Sequence, residues 1–147
     1  MLNVITTIRE ARPEDASSLA ILMTELGYPT SPRDMSERLA MISEQKEYRL
    51  FVFETQDGLL GMAGAVRGWF FEQNGCYVRL VALVTKEGYR KQGIGSALTR
   101  AVEDWALKIG ARAIVLNCGN RPERATAHSF YNKLGYTARS TGYSKTL

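Results

Sequence analysis

Apolar side chains recur along this chain in two rhythms. Ile94, Ala97, Leu98, Ala101, Val102, Trp105, Ala106 and Ile109 return at three- and four-residue spacing, which predicts a helix with one buried face. Gly110 follows where a left-handed cap is wanted. The same spacing joins Ala16, Leu19, Ala20, Leu22, Met23 and Leu26, behind Pro13-Glu14-Asp15 as an opening turn and before Gly27 as a stop. A loop with Pro29 and Pro32 leads to a second helix carrying Met35, Leu39 and Ile42. Ala127, Phe130, Tyr131 and Leu134 predict the buried stripe of a last helix, entered through Asn120-Arg121-Pro122-Glu123 and ended by Gly135.

The other rhythm is that of strands. Residues 4–9, 49–54, 59–71, 77–85 and 111–117 read as strands, and 136–139 with 143–147 as a final pair. Gln56-Asp57-Gly58 and Gln73-Asn74-Gly75 supply hairpin turns. Residues 77–85 are apolar on both faces apart from Arg79, the pattern of a strand covered on two sides. Gly61, Gly64 and Gly68 predict bulges or a close backbone approach. Trp69, Phe70 and Phe71 read as core or sheet packing, with a pocket wall as the alternative.

Composition narrows the classes. At 147 residues the chain is sized for a single domain, 1–147, with its own core. No apolar run nears the roughly 20 residues that span a bilayer, and the first ten residues lack a basic segment followed by an apolar one. Cys76 and Cys118 are too few for a disulfide framework, and His128 is the lone histidine, which speaks against a metal site. The expected setting is the reducing cytoplasm, with no membrane partner. A net charge of +4 suits a small polyanion and does not by itself indicate nucleic acid. A homodimer stays open as the assembly.

The chemistry gathers at residues 84–110. An apolar strand-like run enters a polar turn, and out of the turn come two glycines and the strongest helical pattern of the chain. The first-turn N–H groups of such a helix have no partner within it, and its dipole favours negative charge. Gly93 and Gly95 let a phosphate approach that backbone, while Arg90 and Lys91 add positive charge.

Arg90-Lys91-Gln92-Gly93-Ile94-Gly95 resembles the R/Q-x-x-G-x-G/A signature of the GCN5-related N-acetyltransferase (GNAT) superfamily. Residues 127–136, A-H-S-F-Y-N-K-L-G-Y, are similar to that family's A-x-x-F-Y-x-K-x-G-F segment. The resemblance implies an α/β (α+β) fold with a mixed, largely antiparallel sheet of about six to seven strands flanked by about four helices. It implies acetyl-CoA as cosubstrate, with the pyrophosphate on Arg90, Lys91, Gln92, Gly93, Ile94, Gly95 and Ser96, and pantetheine along Leu83, Val84 and Thr85. Asn120 joins the cofactor set, and Tyr131 reaches the CoA sulfur as catalytic group. The paired helices before residue 44 would wall the acceptor site. The variant of the second segment resembles members that acetylate small amines.

Transfer from a thioester to an amine requires a neutral amine. An alkylamine of pKa about 10.4 is neutral only about one part in 2500 at pH 7, so a base or a desolvating site helps. Many members place a Glu on the signature strand for this, but Val81 and Ala82 stand there. Glu72 is the catalytic base candidate, on the expectation that it lies beside buried aromatic rings; a solvated loop charge is the other reading. A backbone N–H around residues 83–85 would polarise the carbonyl. Three other functions compete with this one. A dinucleotide enzyme would need glycine where Leu98 stands. A silent acyl-CoA sensor would not need Tyr131, and a protein N-acetyltransferase differs only in its acceptor.

Overall fold

The computed structural model describes residues 5–118 and 125–147. In chain order the elements are β1 (Thr7–Glu10), a 3-10 turn (Pro13–Asp15), α1 (Ala16–Leu26), α2 (Pro32–Ser43), β2 (Tyr48–Thr55), β3 (Gly58–Trp69), β4 (Cys76–Thr85), α3 (Ile94–Lys108), β5 (Ile114–Val115) and α4 (Ala125–Lys133). The strands form one five-stranded sheet in the order β1-β2-β3-β4-β5. All neighbours are antiparallel except β4 and β5. The chain falls into two compact units, one ending at Val115 and the other Leu116–Leu147. No helix among the described residues is long and apolar enough to cross a membrane.

The mixed, largely antiparallel sheet and the four helices of the described residues agree with what the resemblance implies; the strand number does not. Among the described residues five strands stand against the expected six to seven. The expected pair in 136–147 is absent, and this stretch carries no ladder. Its apolar positions are sparse, and Tyr143 and Leu147 are fully exposed, so little burial rewards pairing there. β5 is two residues rather than seven, with Val78 N–H donating to Ala113 C=O and Arg112 N–H to Cys76 C=O on its flank. In α4 the expected buried stripe is only half-buried.

One core cluster joins Leu19, Ala20 and Leu22 of α1 and Met35 and Leu39 of α2 to Val52, Leu59, Met62 and Val84 of the sheet. Leu98 and Val102 of α3 are equally buried. Each early helix stops for a local reason. Gly27 adopts φ +114 and donates back to Met23 and Thr24 carbonyls, while α2 begins on Ser31, whose Oγ accepts the N–H of Asp34.

A charged cluster anchors α1 to the sheet edge. Arg9 on β1 donates to both carboxylate oxygens of Asp15 at 2.8 and 3.0 Å, and to Glu54 on β2 at 3.2 and 3.1 Å. Asp15 also accepts the N–H of Arg12 at 2.7 Å. Asp15 is nearly buried, so its charge is compensated rather than solvated. The bond from Arg9 is the main cause that holds the Asp15 carboxyl below its ordinary value.

A depressed folded-state pKa adds stability at pH values above the unfolded value of 3.8, and that stability is lost as pH falls through the folded value. Asp15→Asn should therefore cost about 1.5–3 kcal/mol near neutrality. In urea titrations the gap to wild type should narrow below about pH 4. A gap that stays constant down to about pH 2.5 would show that Asp15 is not held by Arg9.

Candidate functional site

β4 is paired on one edge along its whole length and on the other only in part. Its register with β3 runs from Trp69 opposite Cys76 to Gly61 opposite Thr85. With β5 it pairs only at Val78 and Arg79. Between Leu80 and Thr85 no described strand lies on that second edge. The register also slips here: Ala82 faces Gly64 and Leu80 faces Ala65, leaving Val81 as the extra residue of a β-bulge. Lys86 N–H donates to Leu60 C=O at 2.8 Å, continuing the ladder with β3. Alternation along an antiparallel pair then turns the N–H and C=O groups of Leu83 and Thr85 away from β3, toward the open edge. Val84 does the reverse: its backbone faces β3 and its side chain is in the core cluster.

Beyond β4 the backbone is bent by left-handed residues. Lys86 C=O accepts the N–H of Tyr89 at 3.0 Å with Gly88 at φ +88, the signature of a type II turn. Lys91 adopts φ +63, uncommon for a residue with a side chain, and Gly93 follows at φ +83. The first helical bond of α3 runs from Ala97 N–H to Gly93 C=O at 3.0 Å. The N–H groups of Ile94, Gly95 and Ser96 precede it and have no acceptor inside the helix. Gly93 offers no capping side chain, and no acid stands in the first turn. Where α2 closes its donors with a serine, α3 leaves them open beside exposed Arg90, Lys91 and Gln92. That combination suits an anion.

Gly61 brings the loop to β4. A Cβ there would lie 2.8 Å from Ile94 Cγ2, 2.9 Å from Leu98 Cδ1 and 2.9 Å from Val84 O. Only glycine lets the first turns of α3 rest against β3 and β4 at this point. Ile94 is buried in that contact, so it acts as anchor while its N–H faces the loop.

The remaining candidates fall elsewhere. Tyr131 is half-buried in α4, edge-on to Phe130 at 5.1 Å and to Tyr136 at 6.0 Å. Tyr136 N–H donates to Tyr131 C=O at 3.0 Å across Gly135 at φ +91, a Schellman closure of the helix. Asn120 lies outside the described residues. Cys76 is buried and Cys118 half-buried.

The aromatic cluster ends differently from the core reading. Phe70 packs on Tyr77 with ring centroids 5.1 Å apart, but Trp69 is 60% and Phe71 106% exposed. Trp69 ends the ladder, with the Arg67 guanidinium 5.0 Å over its ring, and Phe71 lies past it, in the hairpin. Glu72 beside them is exposed, so the burial expected around it is absent. It also stands before the first residue of β4, whereas Leu83 and Thr85 lie near the last. At about 3.3 Å per residue these points are about 20 Å or more apart.

One contact had no signal in the sequence beyond a charge near a helix end: Glu25 of α1 accepts the backbone N–H of Glu87 at 2.7 Å. A separate groove of about 810 Å³ runs along α3 against β1 and β2, where Arg49 lies 5.3 Å over the Trp105 ring; none of Arg90 to Ser96 lines it.

Residues 16–136 match the model of the Acetyltransferase (GNAT) family. No curated protein matches the chain. Among solved structures, a GNAT family acetyltransferase from Staphylococcus aureus is 29% identical with a TM-score of 0.83, over 97% of this chain and 98% of that one. Glucosamine-6-phosphate N-acetyltransferase from Arabidopsis thaliana shares the fold at 19% identity and TM-score 0.81, over 97% and 98%. So does an aminoglycoside N-acetyltransferase in complex with CoA, at 18% identity and TM-score 0.81, over 99% and 98%.

Gly95→Asp separates anion binding from helix stability. A carboxylate in the first turn favours the dipole, so thermal stability should hold or rise, yet it occupies the donors an incoming diphosphate would use. Calorimetry with CoA should show affinity reduced at least about tenfold, the scale of one or two charge-assisted bonds. Unchanged affinity would remove the phosphate role from this helix start.

Proposed function

The chain belongs to the GNAT acetyltransferase family, and on that premise we propose that it moves an acetyl group from acetyl-CoA to a primary amine of a small molecule, as one acetyltransferase domain. The family match runs through both units of the chain. One observation carries the reading: an uncapped, acid-free helix start lies against the end of a strand whose second edge, past Arg79, has no strand partner among the described residues. The first holds a pyrophosphate on the N–H groups of Ile94, Gly95 and Ser96, with Arg90, Lys91 and Gln92 around it. The second receives the pantetheine amides by strand addition on Leu83 and Thr85. Glucosamine phosphate and aminoglycoside acceptors of the fold relatives support a small amine.

In this reading the amine attacks the thioester carbonyl directly, forming a C–N bond as the C–S bond breaks. A backbone N–H of Leu83 or Thr85 donates to the carbonyl oxygen as it gains charge. Tyr131 donates to the departing thiolate. A thiol of pKa about 8.5 is a weaker base than a phenolate of pKa about 10, so the tyrosine serves as hydrogen-bond donor or proton relay rather than surrendering its proton outright. The proton lost by the amine goes to solvent, and the thiolate takes its proton in turn. β4 carries no carboxylate or imidazole. Glu72 is exposed in the hairpin before β4, which supports proton loss to solvent rather than to this carboxylate.

Thiol release from acetyl-CoA with a panel of amines tests the activity. Tyr131→Phe should lower kcat about tenfold to a thousandfold while acetyl-CoA affinity stays near wild type, because the bond grows only as the thiolate forms. Wild-type turnover in that variant would return Tyr131 to packing.

Glu72→Gln should leave kcat/KM within about twofold at every pH, and in both proteins kcat/KM should rise about tenfold per pH unit toward the pKa of the amine. A loss in Glu72→Gln confined to low pH would restore Glu72 as the base.

A further inference from the structure

α1 carries a carboxylate at the end where a helix least favours one. Glu25 sits in its last turn, which holds no basic residue, and the carbonyl end of the dipole disfavours negative charge. Its Oε1 accepts the backbone N–H of Glu87 at 2.7 Å, across 62 positions of sequence, a length typical of a charge-assisted bond. Glu87 is the second residue of the type II turn that closes between Lys86 and Tyr89. In such a turn the fourth residue's N–H is used and the second residue's N–H points outward, without a partner inside the turn. Glu25 meets that outward donor.

This turn joins the open edge of β4 to the loop of Arg90, Lys91 and Gln92. We propose that Glu25 is a positioning residue for acetyl-CoA, fixing the 86–89 turn so that the strand edge and the start of α3 engage one ligand together. The proposal rests on the reading that this loop holds the CoA pyrophosphate. Two left-handed residues, Gly88 and Lys91, give the exposed loop alternative paths, and order imposed before binding spares the ligand that cost. The bond also ties the α1–α2 pair to the donor side of the site. The carboxylate's own charge opposes an incoming diphosphate, so the acceptor oxygen and not the charge is what the site uses.

Calorimetric titration of acetyl-CoA into wild type, Glu25→Ala and Glu25→Gln separates those two properties. Glu25→Ala should bind about tenfold more weakly, the scale of one hydrogen bond to a charged group. Glu25→Gln keeps an acceptor oxygen and should match wild type or bind more tightly. Glu87→Pro removes the donor at the other end, and proline suits the second position of a type II turn. It should weaken binding as Glu25→Ala does, and the double variant should be no weaker than either single one. Wild-type affinity in Glu25→Ala, equal losses in Glu25→Ala and Glu25→Gln, or additive losses in the cycle would each overturn the proposal. If wild type itself does not bind acetyl-CoA, the loop reading has failed, whatever Glu25 does.

Discussion

Gly61 lacks the one carbon atom that would hold α3 away from the sheet. Its missing Cβ is replaced by Ile94 and Leu98, and the same gap admits the approach to Val84 O. Overfilling a packed contact of this kind costs about 1–3 kcal/mol or forces the backbone to move. Here a movement would shift the first turn of α3, where the unpaired N–H groups lie. The position of the proposed anion site is thus set by a residue that would never touch the anion.

A second constraint works from the opposite edge of the sheet. Arg9 joins β1, β2 and the turn before α1 through Asp15 and Glu54. Most surface ion pairs contribute little, but Asp15 is nearly buried and fully partnered, so this one fixes where α1 begins. From that start the helix runs to Glu25 and its bond to the 86–89 turn. The electrostatics of β1 and the placement of the 86–89 turn are connected through one helix.

What the sequence made legible was local. Three- and four-residue spacing located α1, α2, α3 and the described part of α4, and the glycines at 27, 110 and 135 fell where left-handed caps stand. The loop residues Arg90 to Ser96 were legible for the same reason, because a strand, a glycine turn and a helix start are consecutive. What failed was non-local. β5 is short because its partner edge is shared for only two residues, and the 136–147 pair lacks apolar positions to bury. Trp69 and Phe71 are aromatic at a strand end, and only the ladder's length told which side of the core they fall on. Glu72 was expected beside buried rings, and its exposure depends on where the ladder ends. Glu25 needed the fold itself, since its partner lies 62 positions away.

The bulge at Val81 also inverts parity. Before it, the even-numbered Cys76, Val78 and Leu80 are buried, and Leu80 stands opposite Ala65, on the face where Gly61 meets α3. After it, the even-numbered Ala82 and Val84 stand opposite Gly64 and Met62, on the face covered by α1 and α2. A single unbroken rhythm of apolar residues therefore lines one side of the sheet and then the other. The strand crosses from one core to the second without changing its alternation, and the crossing falls where its outer edge comes free. Loss of Val81 would leave the other residues of β4 opposite their present partners and on their present faces; what would vanish is the bulge itself, at the place where the outer edge comes free.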